Sequence, residues 1–287
     1  MRPAILADKL TKDYAGRRVV SRLDLRVEKG ELFGFLGPNG AGKTTTMRML
    51  TTLTKPTSGK VEINGFDVAA DGRNIKASFG IVQQHLSLNR ELTVRENLEL
   101  HARLHHIGRR ERKERIDELL DYVEMTEKQD QLIDRISEGM KRRTMIARAL
   151  IHRPKLIFLD EPTVGLDAQT RRRVWDLIRA MNSDGATVFL TTHYIEEAEA
   201  LCKRVGIIHQ GNMIALGRPE DLCRDVGSIA VEARRKGGET SYLYFPDRPS
   251  AAEYVQTQSQ DFGNIVIRES NLEDVFIELT GRKVVGG

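Results

Sequence analysis

The chain of 287 residues is short of several things, and each shortage excludes a class of protein. It has two cysteines, Cys202 and Cys223, without CxxC spacing. That excludes a disulfide scaffold and a cysteine-based zinc module, and it points to reduced thiols in the cytosol. No apolar run approaches the roughly 18 residues of a membrane span. The longest, such as LIF in KLIFLDEP, are strand-sized, so if the chain serves a membrane another chain does the spanning. The opening MRPAILADKL has no apolar h-region, so secretion is not expected. Charge of one sign is also missing. The 45 Lys and Arg interleave with 41 Asp and Glu, a mildly basic balance that leaves room for anionic ligands without marking a nucleic-acid binder. Repeats, low-complexity tracts and long linkers are absent.

What is present is ample for a core, with 40% hydrophobic residues. The length fits one large domain, or one domain with a small appendage. Residues 1–30 alternate apolar and polar side chains, the pattern of antiparallel strands. ELFGFLG reads as a buried strand ending in a glycine-rich turn, and KTTTMRMLTTL as the helix after it. KVEINGFDV reads as two strands about an Asn64-Gly65 hairpin turn, and FGIVQQ as another strand. Residues from about 93 to 152 read as helix after helix, beginning with a Thr93 cap and Glu96 three residues on. Strand and helix then alternate through KLIFLDEP, RRRVWDLIRAM, ATVFLTTH, IEEAEALCKR and RVGIIHQG. That alternation argues a parallel sheet covered by helices. After Pro219 the texture changes to two short strands about a Gly-Gly turn and a closing helix, NLEDVFIELTG.

The segment GPNGAGKTT comprises Gly37, Pro38, Asn39, Gly40, Ala41, Gly42, Lys43, Thr44 and Thr45. It fits G-x-x-x-x-G-K-[ST], follows a strand and opens a helix. Backbone N–H groups of such a loop and the helix N-terminus can surround a polyphosphate. Lys43 would reach the β- and γ-phosphates and Thr44 would ligate Mg²⁺. A glycine-rich structural turn is the competing reading. KLIFLDEP ends in Asp160, placed to hold the metal at the carboxyl end of the sheet. Glu161 follows and can orient or deprotonate a water for in-line attack. His193 ends the next strand, where it could donate to the γ-phosphate, although a lone histidine at a strand end is more often structural.

Together these residues resemble the ATPase subunit of an ABC transporter, over about residues 4 to 215. GPNGAGKTT resembles the Walker A loop, LIFLDEP the Walker B strand and ISEGMKRR the signature motif. VGLD resembles the D-loop, with Asp167, and TTH the switch-histidine strand. The resemblance implies adenine stacking by Tyr14, and contact of Gln84 with Mg²⁺ and with the membrane partner. It implies that Ser137, Glu138, Gly139 and Met140 act on the ATP of a second subunit. The tail, ALGRPEDL and then NLEDVFIELTG, is similar to the daunorubicin-exporter type, in which the permease is a separate chain.

The fold so implied is α/β: a P-loop NTPase with a parallel core sheet, an antiparallel β subdomain and a helical subdomain at about 85–150. The ATPase domain would occupy 1–219 and a small α+β accessory domain 220–287. ATP and Mg²⁺ would be the ligands. The partners would be a separate transmembrane permease and a second ATPase, identical or paralogous, with no nucleic acid. The place would be the cytoplasmic face of the membrane. A soluble ABC ATPase of translation or DNA repair is the rival. The first usually carries two cassettes in one chain. The second inserts a long coiled coil that the stretch from Lys43 to Ser137 cannot hold. An unrelated GTPase would need an NKxD motif, and none occurs. Glu138 and Met140 depart from the family, which most often has glycine and glutamine there. The Glu138 side chain is expected to point away from phosphate, because a carboxylate beside a triphosphate is unfavourable. The histidines at 101, 105 and 106, and the runs RRERKER, RRR and ARRK, read as solvated faces. Trp175 with Val174, Leu177 and Ile178 reads as packing.

Overall fold

The computed structural model of the chain describes residues 2–70, 72–85, 87–235, 240–258 and 262–281. Its first strands, β1 (Ile5–Tyr14) and β2 (Arg17–Val27), pair antiparallel. Ala15 and Gly16 between them both take positive φ (47° and 81°), as a type I′ hairpin turn demands. After β3 (Leu32–Leu36) and α1 (Lys43–Leu50), the pair β4 (Ser58–Ile63) and β5 (Phe66–Asp67) repeats that device with Asn64 and Gly65. These strands form an antiparallel sheet of order β2-β1-β4-β5.

The second sheet is built from β3, β6 (Phe79–Val82), β7 (Leu156–Asp160), β8 (Thr187–Thr192), β9 (Arg204–His209) and β10 (Asn212–Gly217). Its order is β10-β9-β3-β8-β7-β6; β9 through β6 run parallel and β10 closes one edge antiparallel. Both faces are buried, so its strands read as unbroken apolar runs. Phe33, Phe35, Phe158 and Phe189 fill the core shared with the antiparallel sheet. Leu32, Leu36, Ile157, Leu159, Val188 and Leu190 point the other way, under the helices. A Cβ on Gly34 would lie 2.7 Å from Cys202 Sγ, so that glycine allows the close approach of the segment after α7 (Ile195–Leu201).

The helices on that side are α3 (Val94–Leu104), α4 (Arg109–Tyr122), α5 (Glu138–Leu150), α6 (Ala168–Ser183) and α7, with α2 (Gly72–Ser78) leading into β6. Thr93 and Glu96 form the expected capping box on α3. Ile116, Leu119, Leu120 and Val123 are all buried, as the spacing in α4 predicts. The C-terminal part contains α8 (Pro219–Val226), β11 (Ile229–Arg235), β12 (Thr240–Phe245), α9 (Arg248–Gln258), β13 (Phe262–Glu269) and α10 (Leu272–Thr280). Its sheet, β12-β11-β13, has a small core of its own around Ile229, Val231, Ala233 and Ala251. By contrast Leu222 of α8 and Leu272, Val275 and Phe276 of α10 join the large core beneath the parallel sheet. The expected turn at Gly237-Gly238 lies outside the described residues.

Packing corrects two sequence expectations. In RRERKER, Arg115 is not solvated; it donates to Leu150 O at 2.8 Å. His101 and His105 are not solvated either, whereas His106 is exposed as expected. The His105 ring stacks on His152 at 3.9 Å and 3°, and His101 meets His105 edge-on at 4.9 Å. His152 Nε2 donates to Phe79 O at 3.0 Å. Burial, together with nearby cations and histidines, pulls both His101 and His152 down to about 4. A folded pKa below the ordinary 6.5 means that the unfolded chain binds more protons between those values. The contribution is therefore complete above about pH 6.5 and lost as pH falls toward 4. Melting temperature should fall over that window, and less steeply for His101→Gln/His152→Gln; parallel profiles in a pH series would contradict this.

Candidate active site

Leu36, Thr192 and Asp160 end three adjacent parallel strands, β3, β8 and β7, at nearly one level. The glycine-rich loop leaves β3 there and turns into α1. Gly42 caps that helix with φ 113°, a conformation L side chains avoid. A Cβ on Gly37 would lie 2.4 Å from Ile208 O, so no larger residue fits.

Lys43, in the first turn of α1, is buried. Its ammonium donates to Gly37 O (2.8 Å) and Pro38 O (3.2 Å) and lies 3.2 Å from Glu161 Oε1. Thr44 Oγ1 lies 3.5 Å from Asp160 Oδ1. The Thr191 hydroxyl donates to the same carboxylate oxygen at 2.5 Å and accepts from Glu161 N at 3.2 Å. Burial raises the Asp160 carboxyl above its ordinary range, against the hydrogen bond from Thr191. Glu161 takes φ 47°, a left-handed conformation that costs on the order of 1–3 kcal/mol. Its Oε2 accepts from Gln84 Nε2 at 3.3 Å and lies 3.2 Å from His193 Nδ1, without hydrogen-bond alignment. A cleft of about 560 Å³ is lined by Lys43, Thr44, Gln84, Glu161 and His193, with Asn39, Gly40, Thr45, Val19 and Tyr194 also on its walls.

Thus the structure brings together Lys43, Thr44, Gln84, Asp160, Glu161 and His193. Tyr14 stands at the end of β1, 42% exposed, with the Lys12 ammonium 4.8 Å from its ring centroid. Ala41 is buried within the loop. The signature residues group at the start of α5, against α6. Ser137 caps α5 by accepting from Met140 N at 3.3 Å, and Met140 packs on the large core. The Glu138 carboxylate accepts from Lys141 Nζ at 2.7 Å. Asp167 caps α6, accepting from Gln169 N and Thr170 N at 3.0 Å and from Thr170 Oγ1 at 2.6 Å. Those bonds, the Thr170 hydroxyl foremost, hold its carboxyl below the ordinary range.

Several residues at the site escape sequence reasoning. Arg171, from a run read as solvated, lies over the Tyr194 ring at 4.7 Å, and Tyr194 packs on His193. Glu197 is fully buried; it accepts from Thr163 Oγ1 (2.7 Å) and Trp175 Nε1 (3.0 Å), and burial raises its pKa. Trp175 is therefore packed, as expected, and also bonds the helix after His193. No linear spacing announces these contacts.

The donor chemistry fits the implied ligands. Asp160 and Glu161 set two buried carboxylates against one ammonium, an excess of negative charge that a cation relieves. Thr44, Gln84 and Asp160 offer hard oxygen atoms, which suit Mg²⁺. Among the described residues no cluster of three or more His, Cys, Asp or Glu side chains forms a metal site. Mg²⁺ needs none, since it is usually held by one or two carboxylates with substrate phosphates and water.

A strand, a glycine loop that opens a helix, and an acid pair ending a neighbouring strand define a P-loop nucleotide hydrolase. The model of the ABC transporter family matches residues 20–164. The daunorubicin resistance ATP-binding protein DrrA3 of Streptomyces coeruleorubidus is 37% identical, over 97% of this chain and 96% of its own. The linearmycin resistance ATP-binding protein LnrL of Bacillus subtilis is 42% identical, over 96% and 98%. The Nod factor export ATP-binding protein I of Rhizobium johnstonii is 40% identical, over 96% and 94%. Among solved structures, the ATP-binding cassette MJ0796, a dimer in a post-hydrolysis state with ADP and Pi, superposes with a TM-score of 0.68 at 28% identity. It covers 75% of this chain and 98% of its own. The chain belongs to the ABC transporter family as one of its ATP-binding subunits, and it hydrolyses ATP with Mg²⁺.

Gly139 shows how tightly the α5–α6 contact is built, because a Cβ there would lie 2.2 Å from Thr170 Cγ2. Gly139→Ala should destabilise the chain by about 1–3 kcal/mol, as overpacking does. Thr170→Ser, which removes Cγ2 and keeps the hydroxyl bond to Asp167, should restore most of that in denaturant melts. An unchanged midpoint for Gly139→Ala would show that the contact is slack.

Proposed function

We propose that the chain powers export through a separate membrane-spanning permease, working as a pair of ATPase subunits on the cytoplasmic face of the membrane. Relatives with "export" and "resistance" in their names match it over nearly its whole length, which supports the direction. Among the described residues no helix is long and apolar enough to cross a membrane, in keeping with a second, spanning chain. The C-terminal unit from about 220 is read as an accessory domain of this subunit.

The observation that carries the mechanism is Glu161, held with Lys43 on one carboxylate oxygen and Gln84 and His193 at the other. Lys43 binds the β- and γ-phosphates together with backbone N–H groups of the glycine-rich loop and the start of α1. Thr44, Asp160 and Gln84 would hold Mg²⁺, whose charge would offset that of the phosphate oxygens. Glu161 orients the attacking water and takes its proton, and His193 donates to the γ-phosphate. Tyr14 stacks on adenine. Ser137 and the Gly139 N–H, at the positive end of α5, face the γ-phosphate bound by the other subunit, with Asp167 beside the junction. Two ATP molecules thus stabilise the closed pair, and hydrolysis releases it, because ADP no longer favours that state. The transmembrane partner would feel this through Gln84 and the helical region.

Glu161→Gln should lower turnover by about 10²-fold or more while ATP affinity holds. It should also form a dimer in ATP that ADP dissolves, seen by light scattering. A monomeric variant with normal turnover would sink the reading, as would recovery of the native chain on ribosomes or DNA rather than membranes. Glu138 lies three residues from the lysine it bonds and is mostly exposed. Glu138→Gly should therefore leave turnover within about threefold. A large gain would mean that the carboxylate weakens this half of the paired site.

A further inference from the structure

Arg142 is a charged side chain that the mechanism above does not use, yet it is 94% buried (6% exposed). It sits on α5, one turn past Ser137. Among the described residues its guanidinium makes no carboxylate bond; Nη1 donates to Gln83 O (2.9 Å) and Nη2 to Gln84 O (3.2 Å). Those carbonyls belong to the two peptide planes on either side of the Gln84 Cα. With both planes held by one rigid fork, the backbone angles of Gln84 are fixed, and so is the direction of its side chain. That side chain donates to Glu161 Oε2.

The same helix grips the same segment at two further points. Arg148 donates to Ser87 O and, at 2.5 Å, to Ser87 Oγ. Just past the end of α5, His152 donates to Phe79 O. The strand β6 and the Gln84 loop after it are thus bound along one side of α5, with Arg142 nearest the catalytic carboxylate.

We propose that Arg142 is a positioning residue for hydrolysis: it aims Gln84 at Glu161 and ties that aim to the placement of the α5 N-terminus. This rests on the reading of Glu161 as the hydrolytic base and of the α5 N-terminus as the end that meets the other subunit's ATP. A shift of α5 when the pair closes would then be delivered to the subunit's own Gln84 through two hydrogen bonds. Lysine could not replace the arginine, since one ammonium on that stem does not hold two carbonyls in a fixed plane.

The test is a double-mutant cycle on steady-state ATP hydrolysis by the full chain. Arg142→Met keeps an unbranched stem of similar bulk and should lower kcat about tenfold, as misplacement of a reacting group does. KM for ATP should stay within about twofold, because the hydrogen bonds of Arg142 go to Gln83 and Gln84 and not to the P-loop. Gln84→Ala should lower kcat comparably. The pair together should do little more than the worse single change, since both act through one amide. Arg142→Lys should recover only part of the loss. Arg143→Met is the control: Arg143 is equally buried but donates to Val123 O and Glu124 O, away from the Gln84 loop. Its effect should multiply with that of Gln84→Ala. If the Arg142→Met and Gln84→Ala effects multiply as well, or if Arg142→Met raises KM by as large a factor as it lowers kcat, the proposal is overturned. Should Arg142→Met fail to fold, the cycle is run with Arg142→Lys under the same criteria. Failure of the parent reading shows separately, as retained turnover in Glu161→Gln.

Discussion

The cleft is organised around one buried ion pair, Lys43 with Glu161, their side chains 4% and 6% exposed. Such a pair adds little to folding, because desolvation of both charges offsets most of their attraction. Its existence instead constrains everything near it. Lys43 must start a helix whose cap can only be glycine, and Glu161 must leave its strand in a left-handed turn. For the two to meet, β3 and β7 must flank β8 and end level with one another, which only a parallel sheet with helical crossovers provides. The fold is in that sense the support of a single contact that stability alone would not select.

The neighbours of the pair follow from its charge. Asp160 lies beside Glu161 in the chain and is pushed toward its neutral form by burial, held back by Thr191. The polar side chains that remain there, Thr44, Gln84 and His193, come from three different elements and converge on these two acids. Divergent origin and a common target are what a site for a multiply charged ligand requires: each group contributes one contact, and none carries the ligand alone.

Those parts of the molecule in which chemistry is local were legible from the residues. The phosphate loop is read from nine consecutive positions because its donors are main-chain groups and its glycines are forced by geometry. The hairpin at Asn64-Gly65, the cap at Thr93 and the buried face of α4 are likewise written in spacing. What was not legible joins segments far apart through acceptors that leave no trace in sequence. Arg115 ends on a carbonyl of Leu150, and Arg142 on those of Gln83 and Gln84; a carbonyl is the same at every residue. Composition therefore marks Arg115 as solvated, and the motif that contains Arg142 gives no sign of its bonds. The stack of His105 on His152 and the bond from Trp175 to Glu197 are not legible because each joins side chains far apart in sequence. Gly139 is the reverse case: the motif marks it as a ligand residue, and the structure adds a steric demand from Thr170.

The placement of α10 carries a last consequence. Its apolar face lies in the large core, the Phe276 ring meets His209 edge-on, and Leu272 N donates to Glu199 of α7. Because α8 is anchored in that same core, the small sheet between them is topologically a closed loop and not a tail. Both of its ends return to one body. Closing such a loop costs only slowly more as it lengthens, so the sheet can vary in size while its attachment stays fixed. Truncating the chain before α10 would strip apolar cover from the large core and remove the bond from Leu272 N to α7, the helix that begins two residues after His193.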